Sequence, residues 1–546
     1  MRRNSAHSLA LVTAVKSEPS RYRSITRVAA WVTLGTVLTA VVWARIRLAG
    51  LPLERDEGEY AYAGQLILAG IAPYKLAYTM KFPGTAAAYA VLMSIFGEST
   101  TGIHIGLMLT NALTVGVIFL LGRYLFGEIP GTAAAAAYSV LSLMPHVLGT
   151  AAHATHFVVL FGVAGTLLLV HALDRRSMGA LSASGLLFGI AVLMKQSGLF
   201  FALFGAVYVL FRHYQARSKI FGVVPDGTLF VLGAIAPFAI TCFVLWSAGV
   251  FQQFWFWTIN YAVKYGSQVS LAEGVRIFSG HIGGTLGTAW PIWAIALIGL
   301  VCCIAARKLR EWAALLITFA VLSVLAVCPG FYFRPHYFIQ LLPAASLLVG
   351  AAIAAACRRS DRLCFGAIVL FALCLGWPLW SEADFFFQRP VPEANRMING
   401  TNPFPEAVKI GDYIRANSVP NDTIAVLGSE PEIYFYADRR SATGYIYTYG
   451  LMEPQPYAHQ MQQEMMNEIE AAHPKFLVLV VANKSWLVNR DSDLTIFRWT
   501  DSYCDASYEE VGLINISDEG TDYYLSGKPS NVKPAAEHIS IYRRKM

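Results

Sequence analysis

The strongest constraint on this chain is a train of apolar runs too long and too numerous for a soluble core. Eleven stretches of 15 to 23 residues carry few charges: 28–49, 103–125, 132–150, 154–173, 180–195, 198–212, 228–249, 286–305, 312–328, 338–356 and 363–380. A helix crosses the hydrocarbon core of a bilayer in about 20 apolar residues. It does so because each backbone hydrogen bond can be made within the segment. The pattern predicts a polytopic α-helical membrane protein of about 11 transmembrane helices. The two short runs, 180–195 and 198–212, flank Lys195-Gln196-Ser197-Gly198, which allows one long broken hairpin in their place. Only 14% of the 546 residues are charged, against about 25% in soluble domains. That excludes an ordinary soluble enzyme, a nucleic-acid-binding domain and a disordered scaffold.

Charge divides the chain into three parts. Of the 35 acidic residues, 12 precede Ser381 and 23 follow from it. Residues 1–27 form a basic leader, predicted to be cytoplasmic. Residues 28–380 form the membrane domain. Residues 381–546 form a water-soluble tail whose alternating patterns predict a small α/β domain. It has helices at 405–417 and 456–472. Its strands are expected at Thr423 to Leu427, Phe476 to Val481, Tyr508 to Ile516, Asp522 to Leu525 and Ile539 to Tyr542. With the N-terminus in the cytoplasm, nearly every Lys/Arg cluster between spans falls inside, as the positive-inside rule requires. The long loops 50–102 and 250–285 and the whole tail then lie outside. An apolar segment near 85–96 and the aromatic run Phe251 to Trp257 are expected at the membrane interface. No pair among the eight cysteines suggests a disulfide, and no Cys/His spacing suggests zinc.

The chemistry concentrates in the first outside loop. Glu54-Arg55-Asp56-Glu57-Gly58-Glu59-Tyr60 places four carboxylates in six residues at a membrane surface, which is costly unless they are exposed or used. A structural reading makes Asp56 the N-cap of a helix running to about Leu68, with Glu59 completing a capping box and Gly70 as the stop. It leaves Glu57 and the length of the loop unexplained.

Asp56-Glu57 after the first span, followed by Tyr60, Gly70, Pro73-Tyr74 and Lys81-Phe82-Pro83-Gly84, resembles the first extracytoplasmic loop of GT-C-fold glycosyltransferases. The similarity is to the bacterial branch with protein O-mannosyltransferases and lipid A aminoarabinose transferases. Gly428-Ser429-Glu430-Pro431-Glu432-Ile433-Tyr434 resembles the start of that branch's outer domain. The chain departs from the aminoarabinose transferases in its Lys-Phe-Pro and its shorter tail.

The resemblance implies an integral enzyme of the bacterial plasma membrane. It would transfer a sugar from a polyprenyl phosphate, with inversion, to a hydroxyl on an extracytoplasmic lipid, glycan or protein. Asp56 is the expected general base, with Glu57 as alternate or helper, since adjacent carboxylates repel and one is made more basic. Lys81 is expected on the donor phosphate, where negative charge develops. Arg334 and His336 lie on the same outer face and are further phosphate candidates, as is Lys195 at an outer turn. Tyr60, Tyr74 and Trp255 are candidates to stack on sugar, although aromatic-belt anchoring predicts the same residues. His153 and His156 flank another outer turn and read as substrate-site helpers or as ordinary turn residues. No metal ligands are assigned. Members of the branch differ in using a divalent cation, so Mg or Mn stays open as a cofactor. A transporter or flippase of lipid-linked glycans, or a non-catalytic envelope assembly protein, are the rival readings. The chain shows neither repeated halves nor paired broken helices.

Overall fold

The computed structural model describes residues 21–216, 220–517, 519–525 and 532–545. Most of the basic leader and the segment 217–219 lie outside these. Among the described residues, nine helices are long and apolar enough to span a membrane, from Arg21–Leu48 to Asp361–Ser381. The other two expected spans are helical but shorter, Glu128–Leu141 and Met178–Met194.

Each shortfall has a local cause. Glu128–Leu141 carries five consecutive alanines, and every residue from Pro130 to Leu141 is buried. Its small side chains let neighbours close in: a Cβ on Gly122 would meet the Cα of Gly131 at 3.0 Å. After Leu141 the chain leaves the helix, so the expected span 132–150 ends early. The guanidinium of Arg45 satisfies the released carbonyls of Ser142 and Gly149 at 2.8 and 3.1 Å. Met178–Met194 and Leu199–Gln215 are joined by a 3₁₀ turn at Gln196–Gly198, the broken hairpin the sequence allowed. Ser197 donates to Gln340 at 2.8 Å and braces this turn.

The loop 250–285 is more helical than a surface connector. Phe251–Trp255 runs into a π-helical turn, Phe256–Tyr261. Leu271–Leu286 then continues into the span Trp290–Ala305. Cys357 and Cys364 form a disulfide across the turn between the helices Leu342–Arg359 and Asp361–Ser381. This corrects the expectation of unpaired thiols: spacing along the chain does not show which cysteines a helical hairpin brings together.

The tail carries the expected α/β domain. Its strands are β1 (Thr423–Leu427), β2 (Arg440–Ser441), β3 (Phe476–Val481), β4 (Tyr508–Ile516), β5 (Thr521–Leu525) and β6 (Glu537–Arg544). They form one sheet in the order β2-β1-β3-β6-β4-β5. β1 pairs in parallel with β2 and β3, and the remaining pairs are antiparallel. The short β2 and the helix Thr495–Ser507 were not legible in the sequence.

The tail is docked on the membrane domain rather than tethered to it. Arg47, in the last turn of the first span, donates to the carbonyls of Phe385, Phe386 and Arg389 at 2.6–2.8 Å. Gly58 lies against Glu432, where a Cβ would come within 2.6 Å of the Glu432 Cβ. Glu432 is fully buried, and neither carboxylate oxygen has a hydrogen-bond partner. Burial, and then the neighbouring Glu430, push its pKa well above the usual carboxylate range.

The folded chain therefore holds a proton at Glu432 that the unfolded chain releases near pH 4.3, the usual value of about 4.3 for Glu. This contribution is complete below that pH and is lost as pH rises through the folded-state value. Thermal melting of the detergent-solubilised protein should fall between pH 5 and pH 8. Glu432→Gln should flatten that fall, and an unchanged slope in the variant would count against the assignment.

Candidate active site

The carboxylate helix begins two residues earlier than the sequence suggested. Glu54, not Asp56, is the N-cap of Arg55–Leu68. Glu54 Oε1 accepts from the Glu57 amide at 2.9 Å, and Glu57 Oε2 accepts from the Glu54 amide at 3.2 Å. The capping box is thus Glu54 with Glu57. Asp56 and Glu59 are freed from capping and lie three residues apart on one helical face.

Glu57, expected beside the base, does not face the main cavity. It is 1% exposed. Its Oε1 accepts from the Ala152 amide at 2.6 Å and faces Nε2 of His104 at 3.0 Å. Nδ1 of His104 reaches the carbonyl of Ala49 at 2.9 Å. Glu57 therefore fastens the carboxylate helix to the segment that carries His153.

Lys81 returns from the far side of the same loop and places its ammonium between the freed carboxylates. It donates to Asp56 Oδ1 at 2.7 Å and to Glu59 Oε2 at 2.6 Å, and lies 4.4 Å from the centre of the Tyr60 ring. Thr79 donates to the other oxygen of Glu59. Three features fix Lys81. Tyr74 donates to its carbonyl at 2.8 Å. Thr85 donates to the Met194 carbonyl at 2.7 Å. Gly84 lies so near the end of the Met178–Met194 helix that a Cβ would meet the Leu193 carbonyl oxygen at 2.4 Å. Tyr74 is thus a buried brace for Lys81 and does not line the main cavity described below.

Burial acts to raise the Asp56 pKa, but the Lys81 ammonium outweighs it and holds the group well below the usual range. The histidines add little charge, because burial holds His153 down to about 4. Burial opposes charge on Lys81 too, and Asp56 and Glu59 reverse that effect.

These groups lie along a cavity of about 380 Å³ between the membrane domain and the tail. Lys195 and Arg334 line it as well. The Lys195 ammonium sits 3.8 Å from the centre of the Tyr337 ring. His336 also lines the cavity and stacks on His153, with ring centroids 4.0 Å apart. His336 Nε2 and His153 Nδ1 lie 3.7 and 3.9 Å from Asp56 Oδ2. His156 is sealed among the spans, 0% exposed and without a hydrogen-bond partner on either nitrogen. The structure therefore gathers Asp56, Tyr60, Lys81, Lys195, Arg334, His336 and His153, and leaves out Glu57, Tyr74 and His156. Trp255 is exposed, and Trp257 lines the cavity instead.

Sequence reasoning missed Glu59 because it was taken for a capping residue; its spacing from Asp56 was the available signal. It also missed the tail's share of the wall, Tyr447 and Glu453, for which the sequence holds no local signal.

The architecture has solved counterparts. ArnT from Cupriavidus metallidurans bound to undecaprenyl phosphate superposes with a TM-score of 0.60 at 14% identity, over 94% of this chain and 97% of that one. The chain has the GT-C fold. The apo state of the same ArnT gives a TM-score of 0.51 over the same shares of each chain. The archaeal oligosaccharyltransferase AglB from Archaeoglobus fulgidus, in complex with an inhibitory peptide and a dolichol-phosphate, gives 0.47 at 12% identity, over 92% of this chain and 75% of that one. Residues 81–246 of this GT-C protein match the family described as dolichyl-phosphate-mannose-protein mannosyltransferase. No curated protein matches the chain in sequence.

Removing the ammonium while keeping the volume should leave Asp56 and Glu59 as uncompensated partly buried carboxylates. Breaking such a pair costs about 3–5 kcal/mol. Lys81→Met should therefore melt well below wild type at pH 7. Adding Asp56→Asn and Glu59→Gln should restore most of the loss. A triple variant no more stable than Lys81→Met would refute the shared-cation account.

Proposed function

We propose that this protein is a glycosyltransferase that takes its sugar from a polyprenyl phosphate and passes it to an acceptor hydroxyl. The observation that carries the proposal is Lys81 held between Asp56 and Glu59, in a cavity that also holds Lys195 and Arg334. The donor is a phosphodiester with one negative charge, and it leaves as a phosphate monoester carrying a second as the glycosyl bond breaks, so it belongs among these cations. The lipid-phosphate ligand of ArnT and the dolichyl-phosphate-mannose description of the matching family support the donor class.

In this reading Asp56 is the general base. The acceptor hydroxyl gives its proton to the carboxylate as its oxygen attacks the anomeric carbon, and the glycosyl–phosphate bond breaks on the opposite face with inversion. A base tied to Lys81 is weak in the empty site. When the phosphate arrives it competes for the same ammonium, and the pKa of Asp56 rises toward a useful value. Donor binding and base activation are coupled through one cation. Lys195 and Arg334 share the phosphate charge, the latter with a planar guanidinium suited to paired oxygens.

A divalent cation fits beside this pair. Asp56 Oδ2, His153 and His336 present three donor atoms within 4.8 Å of one another. The His153 ring has no hydrogen-bond partner on either nitrogen although it is buried. Two imidazoles with one carboxylate suit manganese or zinc better than magnesium. Such an ion would supply a Lewis-acidic charge beside the reacting groups. The chain itself would hold it through these three side chains. The proposed setting is a bacterial plasma membrane, with the N-terminus cytoplasmic and the tail outside.

Membranes carrying the protein should transfer label from one or more polyprenyl-phosphate sugars. Asp56→Asn should lower transfer by about 10²-fold or more, the range for losing a general base. Glu57→Gln should lower it less, by displacing the helix. Normal transfer by a folded Asp56→Asn variant would sink the assignment. Treatment with EDTA should reduce wild-type transfer and Mn²⁺ should restore it; indifference to the chelator would remove the cation from the scheme.

A further inference from the structure

The proposed chemistry uses one part of the cavity and leaves another wall idle. The tail supplies that wall through Tyr447 and Glu453, and the π-helical turn Phe256–Tyr261 faces it with Trp257 and Tyr261. Single π-turns gather at functional sites because they re-aim side chains. Trp257 of this turn stacks on Tyr78, another residue of the cavity wall, with centroids 5.5 Å apart and planes 20° apart.

Glu453 is oriented to a degree that solvent exposure alone does not require. Its Oε2 accepts from the Tyr261 hydroxyl at 2.8 Å and from Nε2 of Gln268 at 2.8 Å. Gln268 is oriented in turn, since its Oε1 accepts from the Tyr332 hydroxyl at 3.3 Å. Among the described residues, no donor reaches Oε1 of Glu453, and that oxygen is not among the sealed polar atoms. A half-buried carboxylate on a cavity wall, with one oxygen saturated by neutral donors and the other without a donor, is an acceptor awaiting donors. It forms no ion pair with a protein cation among the described residues, and Arg334 acts on it only from a distance. A cavity of this size takes one small ligand. Asp56, Lys81 and Glu453 line this same cavity.

We propose that Glu453 is a sugar-binding residue that accepts hydrogen bonds from ring hydroxyls of the donor glycosyl group, remote from its anomeric carbon, and so helps to select the sugar. Tyr261 and Gln268 are its positioning residues, and Trp257 offers an apolar surface beside it. The inference rests on the glycosyltransferase reading and adds a determinant of substrate class supplied by the tail. Loss of a hydroxyl partner is discriminating because it leaves a buried acceptor unpaired.

The test compares binding of undecaprenyl phosphate, undecaprenyl phosphate mannose and undecaprenyl phosphate glucose to the full-length protein in nanodiscs. Wild type should bind at least one sugar-bearing lipid ~10-fold or more tighter than the bare phosphate. Glu453→Ala should lose that increment yet bind bare undecaprenyl phosphate within about twofold of wild type. That last figure controls for folding. Glu453→Gln should retain part of the increment, since an amide oxygen still accepts, and Tyr261→Phe should weaken it less than Glu453→Ala. An undiminished increment in Glu453→Ala would overturn the proposal, as would a wild-type protein indifferent to both sugars. Sugar-dependent binding that needs Glu453, without transfer to any acceptor, would sustain this residue's role and count against the proposed reaction instead.

Discussion

Two carboxylates one helical turn apart repel, and in this protein a single ammonium holds them together. Lys81 reaches Asp56 and Glu59 from the other end of a loop whose whole course serves to deliver it. The loop leaves the carboxylate helix at Gly70, whose positive φ of 74° suits a residue without a Cβ. It passes Tyr74, which grips the Lys81 carbonyl. It then enters the next helix at Gly84, packed against the broken hairpin where Lys195 lies. The placement of the cations thus depends on close backbone contacts between the loop and the spans.

The same helix is gripped from above by the tail. Arg55 donates to the Ser429 carbonyl and to Glu430 Oε1 at 2.5 and 2.9 Å, with both side chains almost fully buried. The next turn of the helix abuts Glu432 through Gly58. An ion pair in such surroundings adds little net stability over an apolar contact, but losing one partner is expensive. It therefore serves to fix orientation. The residues before and after Asp56 are both engaged, Arg55 with the tail and Glu57 with the membrane domain, so Asp56 itself has little freedom. The tail is a wall of the cavity and a clamp on its central helix.

Much of this was legible in residues alone. Apolar run length marked eleven helices of the membrane domain, nine of them long enough to span, because a bilayer imposes a length that a sequence must display. Period-two and period-3.6 patterns placed most strands and helices of the tail. The density of carboxylates in one outer loop drew attention to Asp56, and the resemblance attached Lys81 to it. The misreadings share one origin. Asp56 and Glu59 fit a capping box as well as Glu54 and Glu57 do, because both pairs have the same spacing. Only the docking of Glu57 against His104 and Ala152 decides between them. Trp255 is exposed and Trp257 lines the cavity for the same reason, since aromatic residues at an interface are alike until their neighbours are known.

The sequence by itself determined that the chain spans a membrane, that a small α/β domain follows, and that carboxylates cluster directly after the first span. Those properties are written in local composition and period, which need no partner to be read. Tertiary structure alone decided which carboxylate is free, which histidine stacks beside it, and that Tyr447 and Glu453, nearly four hundred residues from Asp56, share its cavity. These are relations between distant segments. They are set by packing and by the need to pair every buried charge, and no window of sequence contains both sides of them.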